Sequence, residues 1–210
     1  MIGYYNVSVI LTYLSLVSAM CGMPLALSGH VQWAVICLIF CGLCDCFDGA
    51  IARMCKRTDS EKRFGVEIDS LCDLVSFSVF PAIIGYSVGM NQWYWYPVLA
   101  FFVLAGVIRL GYFNVQEIER AQAGGGHRTH FEGLPVTSSA LLAPVLLLAA
   151  GGLKCSMVYA FGLLGIGVLN ILRFKLEKPY GKKLLIMSAI GAVVLVLVCM
   201  FGETMNALHG

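Results

Sequence analysis

The sequence predicts an all-α integral membrane protein, a bundle of about seven transmembrane helices, and three observations carry that prediction. Hydrophobic residues make up 59% of the 210 and charged residues only 12%, with a mean hydropathy of +0.83, whereas soluble domains carry roughly 25% charge. The apolar residues gather into runs close to the ~20 positions a helix needs to cross the hydrocarbon layer. Lysines and arginines are concentrated in alternate connecting segments. Such a composition excludes a disordered chain, a nucleic-acid-binding protein and a small secreted scaffold.

Lipid offers no partner to a free backbone group, so each spanning run is read as a helix. The first run, Tyr5 to Leu27, is too long and too weakly basic at its start for a cleaved signal peptide and is expected to remain as a span. The second, Gln32 to Arg53, ends on two aspartates and an arginine, and the third, Phe64 to Val88, begins with two more aspartates. The fourth, Trp93 to Ile118, carries Arg109. Leu134 to Ala150, Cys155 to Leu172 and Leu184 to Phe201 complete the set. Residues 1–210 therefore form one domain, with no separate soluble unit. Gly85 and Gly89 make a G-x-x-x-G pair, and Gly162, Gly165 and Gly167 lighten the sixth span, both suited to close helix packing. Ala123 to Gly126 reads as a flexible loop between spans four and five. His127, Arg128 and His130 follow it as a solvated segment able to gather anions.

Twelve of the fourteen basic residues fall in the segments after spans two, four and six, Lys154 alone lies on the other side, and Arg109 is inside a span. The bias of Lys and Arg toward the cytoplasm places the N-terminus and those three segments there, and the odd span count sends the C-terminus outside. An eighth span in a longer natural protein remains compatible with this count. The nine cysteines lie mostly within apolar runs, where they behave as small hydrophobes. Cys41 and Cys44 have C-x-x-C spacing, yet no second pair or histidine cluster completes a zinc site.

Carboxylates at membrane depth are costly and demand a reason. Asp45, Asp48, Gly49, Ala52 and Arg53 stand at offsets 0, 3, 4, 7 and 8, one stripe of a helix. Gly65, Asp69 and Asp73 follow at offsets 0, 4 and 8, one stripe of the next. Two antiparallel neighbours joined by a short basic turn can bring these stripes together. Four aspartates at one depth repel one another unless cations compensate them. A donor set of hard oxygens without Cys or His points to Mg²⁺, Mn²⁺ or Ca²⁺. Two such ions a few ångströms apart are the usual device for displacement at phosphorus. The small Gly49 and Ala52 leave room for a ligand beside the helix, and Arg53 offers a planar fork for phosphate. Glu67 lies on the opposite side of its helix from Asp69 and reads either as a contact to the basic turn or as a direct catalytic group.

These residues resemble a known family. Asp45, Asp48, Gly49, Ala52 and Arg53, followed by Gly65, Asp69 and Asp73, match every fixed position of the D-x-x-D-G-x-x-A-R…G-x-x-x-D-x-x-x-D signature of the CDP-alcohol phosphatidyltransferases. One departure is the spacer from Arg53 to Gly65, eleven residues here against a commoner length of about eight, an insertion in the turn that leaves both stripes intact. The run from Phe64 to Phe77 resembles the F-G-x-E-x-D-S-L-x-D-x-x-S/T-F segment of the phosphatidylserine synthase branch. Arg109 to Asn114 resembles its R-L-x-x-F-N segment, and Phe131 to Pro135 its F-x-G-L-P segment. The resemblance thus runs from Asp45 to about Pro135.

The resemblance implies transfer of a phosphatidyl group from CDP-diacylglycerol to the hydroxyl of L-serine, with release of CMP, in a cell membrane and at its cytoplasmic face. Asp45, Asp48 and Asp69 would hold one metal, with Asp69 and Asp73 sharing in a second; Mg²⁺ or Mn²⁺ is expected, and Ca²⁺ as a non-productive occupant. Asp73 would act as general base. Asp45, Asp48, Gly49, Ala52, Arg53, Gly65 and Asp69 would bind the CDP-lipid, whose tails stay among the membrane lipids, and a homodimer is implied. Arg109 could clamp a phosphate or the serine carboxylate, or brace an aspartate; Asn114 could bind the amino acid or cap its helix. Another alcohol acceptor, such as inositol phosphate, glycerol phosphate or choline, or an archaeal diether donor, fits the first half of the motif equally. From a different class, a divalent metal-ion transporter would also use intramembrane aspartates, although only one helix pair carries them.

Overall fold

The computed structural model describes residues 3, 9–55, 58–122, 130–177 and 182–208, and of residues 50, 52, 53, 121, 122, 130–132, 175–177 and 182–188 the backbone alone. The glycine-rich loop expected at Ala123 to Gly126, and His127 and Arg128 after it, lie outside the described residues.

Among the described residues, seven helical rods build the molecule. They are α1 (Ile10–Leu27), α2 (Val31–Met54), α3 (Asp59–Leu74) continuing through a π turn (Val75–Val79) into α4 (Phe80–Ser87), then α5 (Tyr96–Gln122), α6 (Ser139–Leu153), α7 (Met157–Ile171) and α8 (Lys182–Asn206). Six of the rods are long and apolar enough to cross a bilayer, and α7 is a shorter apolar helix. At 1.5 Å per residue its 15 residues reach only about 22 Å. An all-helical membrane bundle is therefore the architecture. One small addition is a ladder of two three-residue strands, β1 (His130–Glu132) and β2 (Lys175–Glu177), paired antiparallel at the end of the bundle where α5 and α7 finish.

The third rod starts earlier than its hydropathy suggests. Thr58 caps it, accepting from the Glu61 amide at 3.3 Å while Glu61 accepts from the Thr58 amide at 2.7 Å, a reciprocal pair that satisfies two otherwise orphaned donors. Helix therefore begins at Asp59, straight after the basic turn, and carries Gly65, Asp69 and Asp73 in one unbroken segment.

Small side chains set the packing. The buried face of α1 is Thr12, Ser15, Ala19, Gly22, Met23 and Ala26, with a polar end and an apolar end. It lies against α2 along much of its length, as small residues allow helices to approach. Phe77, Phe80, Ile84, Phe102, Leu147, Tyr159 and Leu163 fill the centre. The Tyr159 hydroxyl, buried in apolar surroundings, donates to the Pro81 carbonyl at 3.0 Å. Gly85 packs closely, a Cβ there lying 3.1–3.3 Å from Met90, Tyr159 and Leu163, and the Ser156 side chain lies 3.2–3.4 Å from a Cβ built on Gly89. The φ of +106° at Gly89 also puts it in the turn after α4, so the second glycine of the G-x-x-x-G pair both packs closely and turns the chain. Gly165 faces open space, while Gly162 and Gly167 meet Leu146 and Phe101. All nine cysteines are free, including the Cys41 and Cys44 pair.

Candidate active site

The two aspartate stripes meet. Asp45 and Asp48 come from the last turns of α2, Asp69 and Asp73 from the middle and end of α3. The Asp48 and Asp69 carboxyl groups lie within hydrogen-bonding reach of each other, and Asp73 interacts electrostatically with the other three. Asp45, Asp69 and Asp73 form one wall of a cleft of about 190 Å³. Its other wall is Arg109, Leu110 and Phe113 of α5 with Pro135, Val136 and Thr137 from the segment leading into α6. Residues far apart in the chain are thus placed face to face.

The far wall is held by a backbone strap. Leu134 donates its amide to the Leu169 carbonyl at 3.2 Å and accepts from Arg109 Nε at 3.1 Å through its own carbonyl. One residue therefore joins α7 to α5 beside the cleft. Gly133, at φ +78°, makes the bend that precedes it and donates to the Phe174 carbonyl at 2.7 Å. Arg109 is 5% exposed. Its guanidinium thus braces the loop carrying the far wall while lining the same cleft as three aspartates, a combination that neither expected role of Arg109 included.

Asn114 lies within α5, eight residues before its end, so it caps nothing. Its Oδ1 accepts from Ser70 at 2.8 Å and its Nδ2 approaches Glu67 at 3.5 Å, both on α3. Asn114 is a bracket between the second acid-bearing helix and α5. Glu67 accordingly meets α5; Lys56 and Arg57 of the basic turn expected for it lie outside the described residues. Gly65 is buried on α3, and Gly49 follows Asp48 on the cleft end of α2. Ala52 and Arg53 continue that helix, but their side chains lie outside the described residues. Ser76 is wholly buried on the π turn and accepts from Ser15 Oγ at 3.2 Å.

Sequence reasoning missed Thr12. Buried on α1, it stands with its hydroxyl 3.5 Å from both Asp48 Oδ2 and Asp69 Oδ1. A lone threonine in an apolar helix has no distinguishing pattern, and its membership in the site depends on how α1 crosses the other two helices.

The donor set is chemically suited to a hard divalent cation, being made only of carboxylate and hydroxyl oxygens. Among the described residues no three His, Cys, Asp or Glu side chains close around a single point.

Comparison with known proteins identifies the family. The family model for CDP-alcohol phosphatidyltransferase matches residues 5–208. A CDP-diacylglycerol–serine O-phosphatidyltransferase of Saccharomyces cerevisiae is 40% identical over 106 residues, covering 50% of this chain and 37% of its own length. An archaetidylserine synthase of Methanothermobacter thermautotrophicus is 32% identical over 163 residues, 77% of this chain and 65% of its own. A CDP-diacylglycerol–serine O-phosphatidyltransferase of Mycobacterium tuberculosis is 28% identical over 177 residues, 81% of this chain and 60% of its own. The chain thus spans between about a third and two thirds of these curated relatives. With the family model matched from end to end of the bundle, and three aspartates from adjoining helices lining one cleft, the chain belongs to the CDP-alcohol phosphatidyltransferase family.

Proposed function

We propose that the chain transfers a phosphatidyl group from CDP-diacylglycerol to the hydroxyl of L-serine, giving phosphatidylserine and CMP. The observation that carries the reading is the convergence of both carboxylate stripes and Arg109 on one cleft at the end of the bundle. Serine is favoured as acceptor because the three relatives above, drawn from a yeast, an archaeon and a bacterium, all carry serine in their names.

In this reading Asp45, Asp48, Gly49, Ala52, Arg53, Gly65 and Asp69 bind the CDP end of the lipid, and the acyl tails stay in the bilayer. Asp45, Asp48 and Asp69 hold one Mg²⁺ or Mn²⁺ and Asp69 and Asp73 share another, supplying positive charge against the diphosphate oxygens. Arg109 orients the acceptor or a phosphate from the opposite wall. Asp73 takes the proton of the serine hydroxyl as that oxygen attacks the β-phosphorus. The bond from that phosphorus to the bridging oxygen breaks, and CMP leaves with the oxygen. Attack is direct, since no Ser, Cys or His lies on the aspartate stripes and Ser76, the nearest exception, faces Ser15 in the interior. The protein resides in the cell membrane as a homodimer, its cleft facing the cytoplasm on the side where basic residues accumulate.

A second donor is favoured by one specific observation, the archaetidylserine synthase similar over 77% of the chain. Apolar tails leave little trace in helix sequences, so a diether CDP-lipid suits the same cleft. The test is purified protein in mild detergent with Mg²⁺ or Mn²⁺, each CDP-lipid in turn, and a panel of alcohols, followed by CMP release. Release that requires L-serine and vanishes in Asp73→Asn is the expected result. Release with another alcohol would retain the site and replace the acceptor, and its complete absence from folded protein with either lipid would remove the assignment.

A further inference from the structure

We propose that Thr12 is a positioning residue of the active site, and that α1, which lies outside the aspartate signature, forms its third side by steering one metal-binding carboxylate from each of the two signature helices. The inference rests on the metal-assisted reading above.

Its geometry is specific. A single hydroxyl stands 3.5 Å from Asp48 on α2 and 3.5 Å from Asp69 on α3. That distance is long for an O–H···O bond, and a hydroxyl has one proton to give. Thr12 therefore bonds tightly to neither carboxylate in this state and can turn to either one. Its β-branched side chain has few rotamers, so the hydroxyl's position is fixed by where α1 lies.

A second set of contacts fixes α1 independently. One turn deeper, Ser15 Oγ donates to Ser76 Oγ at 3.2 Å, and the Ser15 carbonyl accepts from Cys41 Sγ at 3.2 Å. Cys41 is one turn from Asp45 on α2, and Ser76 is one turn from Asp73 on the third rod. Ser15, Cys41 and Ser76 are all buried. The bundle thus has two polar layers: a buried knot joining all three rods, and directly above it Thr12 between the carboxylates. The lower layer sets the rotation of α1, and the upper layer uses it. Groups that orient metal ligands without contacting the metal commonly alter metal affinity 10–100-fold when removed.

The test is Mn²⁺ binding to detergent-purified protein without substrate, read by the loss of the free-ion electron paramagnetic resonance signal up to millimolar Mn²⁺, alongside thermal unfolding. Thr12→Val keeps shape and branching but removes the hydroxyl, and it should weaken Mn²⁺ binding by about tenfold or more. Thr12→Ser should restore it, and unfolding temperatures of all three proteins should agree. Equal Mn²⁺ binding by wild type and a folded Thr12→Val would overturn the proposal, as would a Thr12→Ser protein as defective as Thr12→Val. Should Thr12→Val not fold, Thr12→Ser and Thr12→Ala carry the same comparison, and equal binding by those two would overturn it. Wild-type protein that is active yet binds no Mn²⁺ would remove the metal reading itself, and this inference with it.

Discussion

Asp73 shares its wall of the cleft with Asp45 and Asp69 and faces Arg109 across it, and in the proposed reaction these few side chains carry the chemistry. Asp73→Asn keeps the shape and removes the proposed base, so CMP release should fall by roughly 10²–10⁴-fold with the protein still folded. Arg109→Lys is the sharper test. Lysine cannot both donate to Leu134 through an Nε–H and present a planar fork to a ligand. We expect the KM for serine or for the CDP-lipid to rise roughly tenfold with folded yield preserved, and loss of folded protein in detergent would mean that the brace outweighs the clamp. At this scale the sequence was readable wherever a residue was expensive. Four aspartates and an arginine in apolar helices call for a purpose, and their spacing places the acids on two stripes. Thr12 costs little in a helix and left no such mark, and the part of Leu134 that matters is its backbone, which no residue identity reports.

Among the elements, the third rod is the most informative. The π turn at Val75–Val79 begins two residues after Asp73, and Phe80 donates its amide back to the Val75 carbonyl. Pro81, next in line, has no N–H to give to the turn before it. The extra residue changes the helical phase, so Ser76, Phe77 and Ser78 are buried in succession while the aspartate stripe keeps its own face. Gly106 of α5 fits against this turn, and a Cβ on it would collide with Ser78 Oγ. Gly106→Ala should therefore destabilise the protein by about 1–3 kcal/mol. Adding Ser78→Ala should recover part of that loss, since the Ser78 hydroxyl is buried with no hydrogen-bond partner among the described residues; strictly additive unfolding shifts would refute the contact. Hydropathy located every rod but not this irregularity, because burial on all sides hides a change of period. The early start of α3 was legible in principle, for Thr58 and Glu61 have the spacing of a capping box ahead of the apolar run.

For the whole molecule, the charge distribution yields a prediction about orientation. Cys55 follows α2 beside the basic turn, and Cys155 sits next to Lys154 between α6 and α7. With the other seven cysteines replaced, a membrane-impermeant maleimide added to intact cells should label Cys155 and spare Cys55, and the reverse pattern would invert the topology. The exposed cluster Trp93, Tyr94 and Tyr96 begins α5 at the end opposite the aspartates, a position suited to the membrane interface. The bundle was readable from composition and periodicity. The meeting of α5 with the α6 entry was not, because it depends on three long-range backbone contacts, through Gly133, Leu134 and β1.

The two walls of the cleft come from separate stretches of chain: the acids lie between Asp45 and Asp73, and the facing surface between Arg109 and Thr137. Selection can therefore act on them apart. If the proposed reaction holds, exchange of the later stretch alone would retune the choice of alcohol while the hairpin assigned to the nucleotide passed unchanged, so that new lipid headgroups would arise by local substitution on an inherited engine.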